Sequence, residues 1–215
     1  ETAGFTDVTT GTFKTFTNSG SGTVTLGATT ATAGLGTSAT FAGGSGIDKV
    51  SFGAQTKAQT LGAGNDIAYL TGAALGTGGS IDAGTGTDTL GLTVANAVTA
   101  SSNELFEATI SGFEKLDIRT SAAGTINLAN LDDISNINIA TAVGHAIVLN
   151  NLADDATITV NATETAGSVT HTLASSSGSS DKLNLVIKGS AAVTGGTHVM
   201  AKTETITINS DDTDS

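Results

Sequence analysis

The sequence has no cysteine, no proline and no tryptophan, and a single tyrosine, Tyr69. Without cysteine there is no disulfide framework and no thiolate metal site. Aromatic residues are only 4% of the 215, so large side chains cannot fill a thick globular interior. Small aliphatics, threonine and glycine must do so, which suits thin stacked layers. Charge is also scarce, at 13%, and one-sided: 20 acidic against 8 basic residues give a formal net charge of −12. That sign argues against nucleic acid and anionic membrane surfaces as partners, because lysine and arginine supply the affinity for both. No apolar run approaches the roughly 20 residues of a spanning helix. The opening "ETAGFTDVTT" lacks the basic start and apolar stretch of a signal peptide. Starting without methionine and ending in "TITINSDDTDS", the chain reads as a piece of a longer protein. An acidic, cysteine-free composition rich in Thr, Ser, Asn and Gly fits a bacterial surface protein better than a cytosolic enzyme.

What is present is strand pattern. Residues 22–34, 124–131, 134–140, 146–152, 156–163, 182–189 and 204–210 alternate apolar residues with Thr, Asn or Ser at period two, punctuated by Gly, Asn and Asp. Only "SSNELFEA" (101–108) reads helical, with Ser101 and Glu104 at capping-box spacing and Leu105 and Phe106 free to pack inward. Short strands at even intervals allow a sandwich or a solenoid. The repeated turn-plus-strand pattern of "NLDDISNINI" and "NLADDATITV", and Asn and Thr placed to form ladders between coils, favour the solenoid. A sandwich would ask for more bulky side chains on its inner faces. The expected fold is all-β, a parallel β-roll or β-helix with one short helix. Its expected parts are a strand-rich entry segment (1–40), a Gly–Asp roll (41–94) and a solenoid continuation (95–215) with the helix near 101–108.

The chemistry concentrates in "GGSGIDKVSFGAQTKAQTLGAGNDIAYL", residues 43–70. The nonapeptide G-G-x-G-x-D-x-U-x winds a parallel β-roll and binds calcium. Gly43, Gly44, Gly46, Asp48 and Val50 match it in full. A second copy keeps Gly62, Gly64 and Asp66, with Leu61 for the first glycine and Ala68 inward; a third keeps Gly84, Gly86, Asp88 and Leu90, with Ala83 first. Nine residues make one turn and one strand, so a coil takes eighteen, the interval from Asp48 to Asp66. That interval stacks the two carboxylates one strand spacing apart, roughly 4.8 Å. Ca²⁺ wants six to eight oxygens at about 2.3–2.6 Å. Two stacked turns can offer them if backbone carbonyls bend toward the ion, and glycine permits the positive φ this takes. Unneutralised, the stacked carboxylates would repel.

The interval from Asp66 to Asp88 is 22, which puts the third repeat out of strict register; the insertion around "TGAALGTGGSID" is expected to bulge the coil and to bring Asp82 toward the same row. Lys57 stands where the intermediate nonapeptide "FGAQTKAQT" would carry an aspartate, so no calcium row is expected on the opposite turn, though Lys57 could neutralise a neighbouring carboxylate. Asp132, Asp133, Asp154 and Asp155 read as solvated turn residues or as further ligands, and Asp211, Asp212 and Asp214 are open in the same way. His145, His171 and His198 are scattered with no second ligand at metal spacing. Ser175 to Ser177 read as a loop, and no nucleophile or paired-carboxylate arrangement can be assembled.

Residues 41–94, from "FAGGSGIDKV" through "GTDTLGLTV", with "ISGFEKLDI" (110–118), "SSDKLNLVIKGSAAV" and "TETITINSDDTD", resemble the calcium-binding RTX-type surface-layer proteins of Gram-negative bacteria. The resemblance covers most of residues 40–215. It implies type I secretion, a place on the outer cell surface, and assembly with copies of itself into a two-dimensional lattice. It further implies contact with cell-surface lipopolysaccharide through regions outside this chain. For Glu114, in the "GFEKL" turn, it implies a calcium ligand, where the residues alone allow a plain strand-start glutamate. The RTX motif is shared with secreted lipases, proteases and toxins, and two other functional classes stay open: an extender module of a large calcium-dependent adhesin, and a β-helix acting on polysaccharide. The last fits poorly, since a cleft for acidic sugars needs clustered basic residues and the chain has one arginine, Arg119, with dispersed lysines. The expectation is a non-enzymatic, calcium-stabilised structural segment.

Overall fold

The computed structural model describes residues 2–5, 14–27, 29–120, 122–140, 145–161, 168–175, 180–189, 197–201 and 203–212. The chain forms two compact units, one of residues 1–92 and 103–114, the other of 93–102 and 115–215. Both are parallel β-solenoids, in which each strand pairs with the strand one coil away rather than with its neighbour in sequence.

In the first unit the strands are β1 (Thr2–Phe5), β2 (Thr15–Thr17), β3 (Thr23–Leu26), β4 (Thr40–Ala42), β5 (Asp48–Phe52), β6 (Ala58–Thr60), β7 (Ile67–Leu70), β8 (Ser80–Asp82), β9 (Thr89–Leu92) and β10 (Ile110–Ser111). Odd strands pair in the order β1-β3-β5-β7-β9 and even strands in the order β2-β4-β6-β8-β10. The short period-two runs dictate this: alternate side chains point in, and a coil of two strands leaves room only for small or flat ones. Leu26 faces Val50, Val50 faces Ala68 and Ala68 faces Leu90, and all four are fully buried. Tyr69 pairs with Gly91, whose Cβ would fall 2.3 Å from the ring, so the chain's one tyrosine lies flat over a residue with no side chain. The expected loss of register at the third repeat does not occur. Ile67 stands opposite Thr89 as Lys49 stands opposite Ile67, and the extra residues are absorbed between β7 and β8, away from the Gly–Asp turn.

The second unit is built from β11 (Lys115–Ile118), β12 (Gly124–Asn127), β13 (Asn136–Ile139), β14 (Ala146–Leu152), β15 (Ala156–Val160), β16 (Ser168–Leu173), β17 (Lys182–Gly189), β18 (Thr197–Ala201) and β19 (Thr205–Asp212). Its orders are β11-β13-β15-β17-β19 and β12-β14-β16-β18. Leu116, Ile137, Ile158 and Leu185 stack in one inward column, each at most 3% exposed. Burying such a side chain is worth about 1.5–3 kcal/mol. Outward positions form side-chain ladders: Asn151 Nδ2 donates to Asn127 Oδ1 at 2.6 Å, Asn138 Nδ2 to Asp117 Oδ1 at 2.7 Å, and Asn161 Nδ2 to Asn138 Oδ1.

The helix expected over 101–108 is present as the single turn Glu104–Glu107, and a longer helix lies just before it. The longer helix spans Val94–Ser101, capped by Thr93, whose Oγ1 accepts from the Asn96 N–H at 3.1 Å, and it buries Val94, Ala97, Ala100 and Ser101. Gly124 admits it, since a Cβ there would meet Val98 Cγ2 at 2.4 Å. Ser101 is not a cap but an interior residue, its Oγ accepting from the Asn127 N–H at 3.1 Å. Residues Glu104–Glu107 make one separate turn capped by Asn103, in which Phe106 is buried and Leu105 is 74% exposed rather than inward. The Ser101–Glu104 spacing imitates a capping box, whereas the three-residue interval of buried positions from Val94 to Ala97 to Ala100 marks the true helix.

Candidate metal centre

Each Gly–Asp turn of the first unit joins an even strand to an odd one, so the aspartates fall at one place on successive coils. The result is a continuous ladder. Asp48 Oδ1 accepts from the Val24 N–H at 3.1 Å, Asp66 Oδ1 from the Asp48 N–H at 2.8 Å, Asp88 Oδ1 from the Asp66 N–H at 2.6 Å, and Glu114 Oε2 from the Asp88 N–H at 2.8 Å. Every carboxylate thus satisfies a backbone donor one coil back. The three aspartates are fully buried and Glu114 is half-buried.

One oxygen per carboxylate is used in this way, and the second exposes the electrostatic problem. Asp66 Oδ2 is buried with no hydrogen-bond partner. Burial, opposed by the bond from the Asp48 N–H and reinforced by repulsion from Asp88 and Asp48, pushes the Asp66 carboxyl up to about 6. Burial also raises Asp48, against the pull of its bonds from Val24, Gly44 and Asn18. A buried charge requires a counter-charge or a proton. Lys57 provides none: it is exposed on the opposite turn and forms no ion pair with a described residue.

The glycines bring the turns into near contact. Gly62, Gly64, Gly84 and Gly86 have φ between 94° and 150°, a region side chains resist. A Cβ on Gly86 would lie 1.5 Å from the Gly64 carbonyl oxygen, and one on Gly84 1.9 Å from that of Gly62. At Gly43 a Cβ would strike both the Leu61 carbonyl oxygen, at 1.8 Å, and Asp48 Oδ2, at 2.5 Å. Backbone and carboxylate oxygens therefore share a space that any side chain would fill. Gly44 and Gly46 are held as tightly, against the carbonyls of Gly20 and Ser21.

That set of oxygens fits a hard cation. Two oxygens one strand spacing apart, about 4.8 Å, both lie about 2.4 Å from a point midway between them, within the Ca–O range and beyond the 2.0–2.1 Å that Mg²⁺ demands. Among the described residues no three or more His, Asp or Glu side chains are gathered to hold a metal ion. A cation here would lean on backbone carbonyls as much as on carboxylates.

Asp82 makes bonds of its own beside the turn. It is exposed at the end of β8, and its Oδ1 accepts from the Gly84 N–H at 3.1 Å and from Ser111 Oγ at 3.4 Å, so it fixes the start of the turn. Leu61 and Ala83, in place of first glycines, are fully buried core residues. Asp132 and Asp155 adopt left-handed φ of 69° and 62°, as turn residues do. Ser175 is described; Ser176, Ser177 and Asp214 lie outside the described residues.

Sequence reasoning missed three features. "NSGSGTV" (18–24) is an earlier coil of the same turn, with Gly20 and Gly22 beneath Gly44 and Gly46 and with Asn18 Nδ2 donating to Asp48 Oδ1 at 3.2 Å; its G-x-G spacing was the available signal. Strand β6 carries buried Gln59, whose Oε1 accepts from the Phe41 N–H at 2.7 Å while Nε2 donates to the carbonyls of Ala39 and Lys57. The histidines are not all scattered. His171 and His198, on neighbouring strands of the second unit, stack with ring centroids 5.2 Å apart and a nitrogen–nitrogen contact of 2.9 Å. Burial, with repulsion from His198, lowers His171 to about 3. No local signal links residues 27 apart on different coils.

No protein-family model matches the chain, and no curated protein matches it in sequence.

Proposed function

We propose that this chain is a calcium-stabilised structural segment of a secreted bacterial surface layer, assembling with copies of itself into a two-dimensional sheet on the outer cell surface. The observation that carries the calcium half is the buried ladder Asp48–Asp66–Asp88, with Asp66 Oδ2 lacking any partner. Glu114 closes the ladder and serves as its last acidic rung. The lattice half rests on the resemblance of residues 40–215 to RTX-type surface-layer proteins. A chain exported unfolded from a cytosol poor in free calcium would meet millimolar calcium outside, near the expected dissociation constants of about 10⁻⁴–10⁻³ M. Binding to the folded coil alone then stabilises it by mass action.

Hydrogen exchange on the chain and electron microscopy of sheets of the parent protein test the two halves. Chelation should loosen residues 43–90 and dissolve the sheets; calcium should restore both and magnesium neither. Sheets that survive while the coil loosens would confine calcium to folding. A coil indifferent to chelator would remove calcium from the account. Asp48→Ala and Asp66→Ala should weaken calcium binding non-additively, because they flank one site; additive losses would mean separate sites.

A further inference from the structure

The second unit contains an acidic turn outside the Gly–Asp motif. Asp181 immediately precedes β17, is 8% exposed, and has its Oδ2 buried with no hydrogen-bond partner. Its N–H donates to Glu204 Oε2 at 2.9 Å, and the next N–H, that of Lys182, donates to Asp154 Oδ1 at 2.7 Å. The three acids come from successive coils, since β15 pairs with β17 and β17 with β19. The Asp181–Glu204 link repeats the one between Asp88 and Glu114, a buried aspartate whose N–H is capped by the glutamate one coil on. The Asp181 carbonyl is already engaged by the N–H groups of Glu204 and Thr205 at 3.1 and 3.0 Å, which holds the coils together at this point. Burial first, then the nearby carboxylates of Glu204 and Asp154, raises the Asp181 carboxyl above its ordinary range. Asp181 forms no ion pair with a described lysine or arginine.

We propose that the pair Asp181 and Glu204 forms a calcium site of the second unit, with backbone oxygens in place of a third acid and with Asp154 holding the neighbouring Lys182 N–H, independent of the Asp48–Asp66–Asp88 row. The buried Asp181 Oδ2 is the anchoring ligand, and exposed Glu204 supplies the second charge from the next coil. All-oxygen donors select a hard cation, and donors one coil apart suit calcium better than magnesium. Asp154 and Glu204 each spend one oxygen on a backbone N–H, so backbone carbonyls and water complete the shell. None of the glycine signature of the first unit is needed, because the acids reach the site from strand ends.

Equilibrium dialysis against calcium and hydrogen exchange with and without it, on the 215-residue chain, test this. Asp181→Asn and Glu204→Gln should each lower bound calcium by about one ion per chain. They should also abolish calcium-induced protection of residues 182–187, leaving that of 48–52 and 67–70 intact. Asp66→Asn should do the reverse. Unchanged calcium counts in both variants, or β17 indifferent to calcium in the unaltered chain, would overturn the proposal and leave Asp181 and Glu204 sharing a proton instead. Glu204 is exposed, so its variant decides the matter if Asp181→Asn does not fold. Calcium-induced protection at β17 with none at 48–52 would uphold this site while refuting the calcium row of the first unit.

Discussion

The acidic turns of the first unit and the asparagine ladders of the second stack coils at the same spacing but treat the stacked polar atom differently. An asparagine carries a donor and an acceptor, so Asn151 can donate to Asn127 and the pair is satisfied without help. An ionised aspartate only accepts. In the row from Asp48 to Asp88 each carboxylate accepts an N–H from the coil before it, and Asp66 Oδ2 has no partner. The ladder of amides is complete as folded, whereas the ladder of acids calls for a proton or a cation. Within the first unit itself strand β6 buries neutral Gln59, whose amide satisfies one N–H and two carbonyls. The acidic turns therefore sense their ionic surroundings and this buried amide does not.

The largest expected effect tests the close approach that the Gly–Asp turns require. Gly86→Ala forces a side chain onto φ 150° with the Gly64 carbonyl 1.5 Å away, and should cost at least about 3 kcal/mol in urea unfolding, with or without calcium. Gly36→Ala, where a Cβ meets nothing within 4 Å, should stay within about 0.5 kcal/mol. Equal losses would mean that the turns are not in fact packed coil against coil.

Acid should separate the two units next. His171, held at about 3 against an ordinary 6.5, is neutral in the fold, so its contribution is full above pH 6.5 and is lost as pH falls toward 3. Asp66, held at about 6 against an ordinary 3.8, behaves oppositely: without calcium its contribution is full below pH 3.8 and is lost as pH rises through 6. Lowering pH from 6.5 to 5 in chelator should therefore weaken protection of β16 by about 1–2 kcal/mol and strengthen that of β5 and β7, read by hydrogen exchange corrected for intrinsic rates. Parallel changes in both units would break the comparison.

The smallest effect is the sharpest. Asp66→Asn keeps an oxygen for the Asp48 N–H and turns the orphan acceptor into a donor between two carboxylates. In chelator at pH 7 it should stabilise the chain by about 1 kcal/mol, allowing for solvent screening, and in millimolar calcium it should destabilise it. Thermal unfolding in the two buffers should show the sign change. Destabilisation in both would mean that the charge is neutralised by something other than calcium.

Much of the first unit was legible because its signals are local. A glycine before an aspartate and an inward Val50, Ala68 or Leu90 at the eighth position of each repeat determine turn, strand and facing direction within one coil, and the eighteen-residue interval determines that Asp66 lies over Asp48. The absence of bulky residues determined thin stacked layers. What only the tertiary structure decided involves contacts between coils of unequal length. The extra residues before Asp88 could have shifted the row or bulged elsewhere, and pairing of β7 with β9 settled that they bulge elsewhere. Asn18 reaching Asp48, His171 meeting His198, and Asp181 lying between Asp154 and Glu204 all join side chains more than twenty residues apart. Composition and period specify how one coil is wound. Which side chains become neighbours depends on how many residues each intervening turn absorbs, and that is settled only when the strands pair.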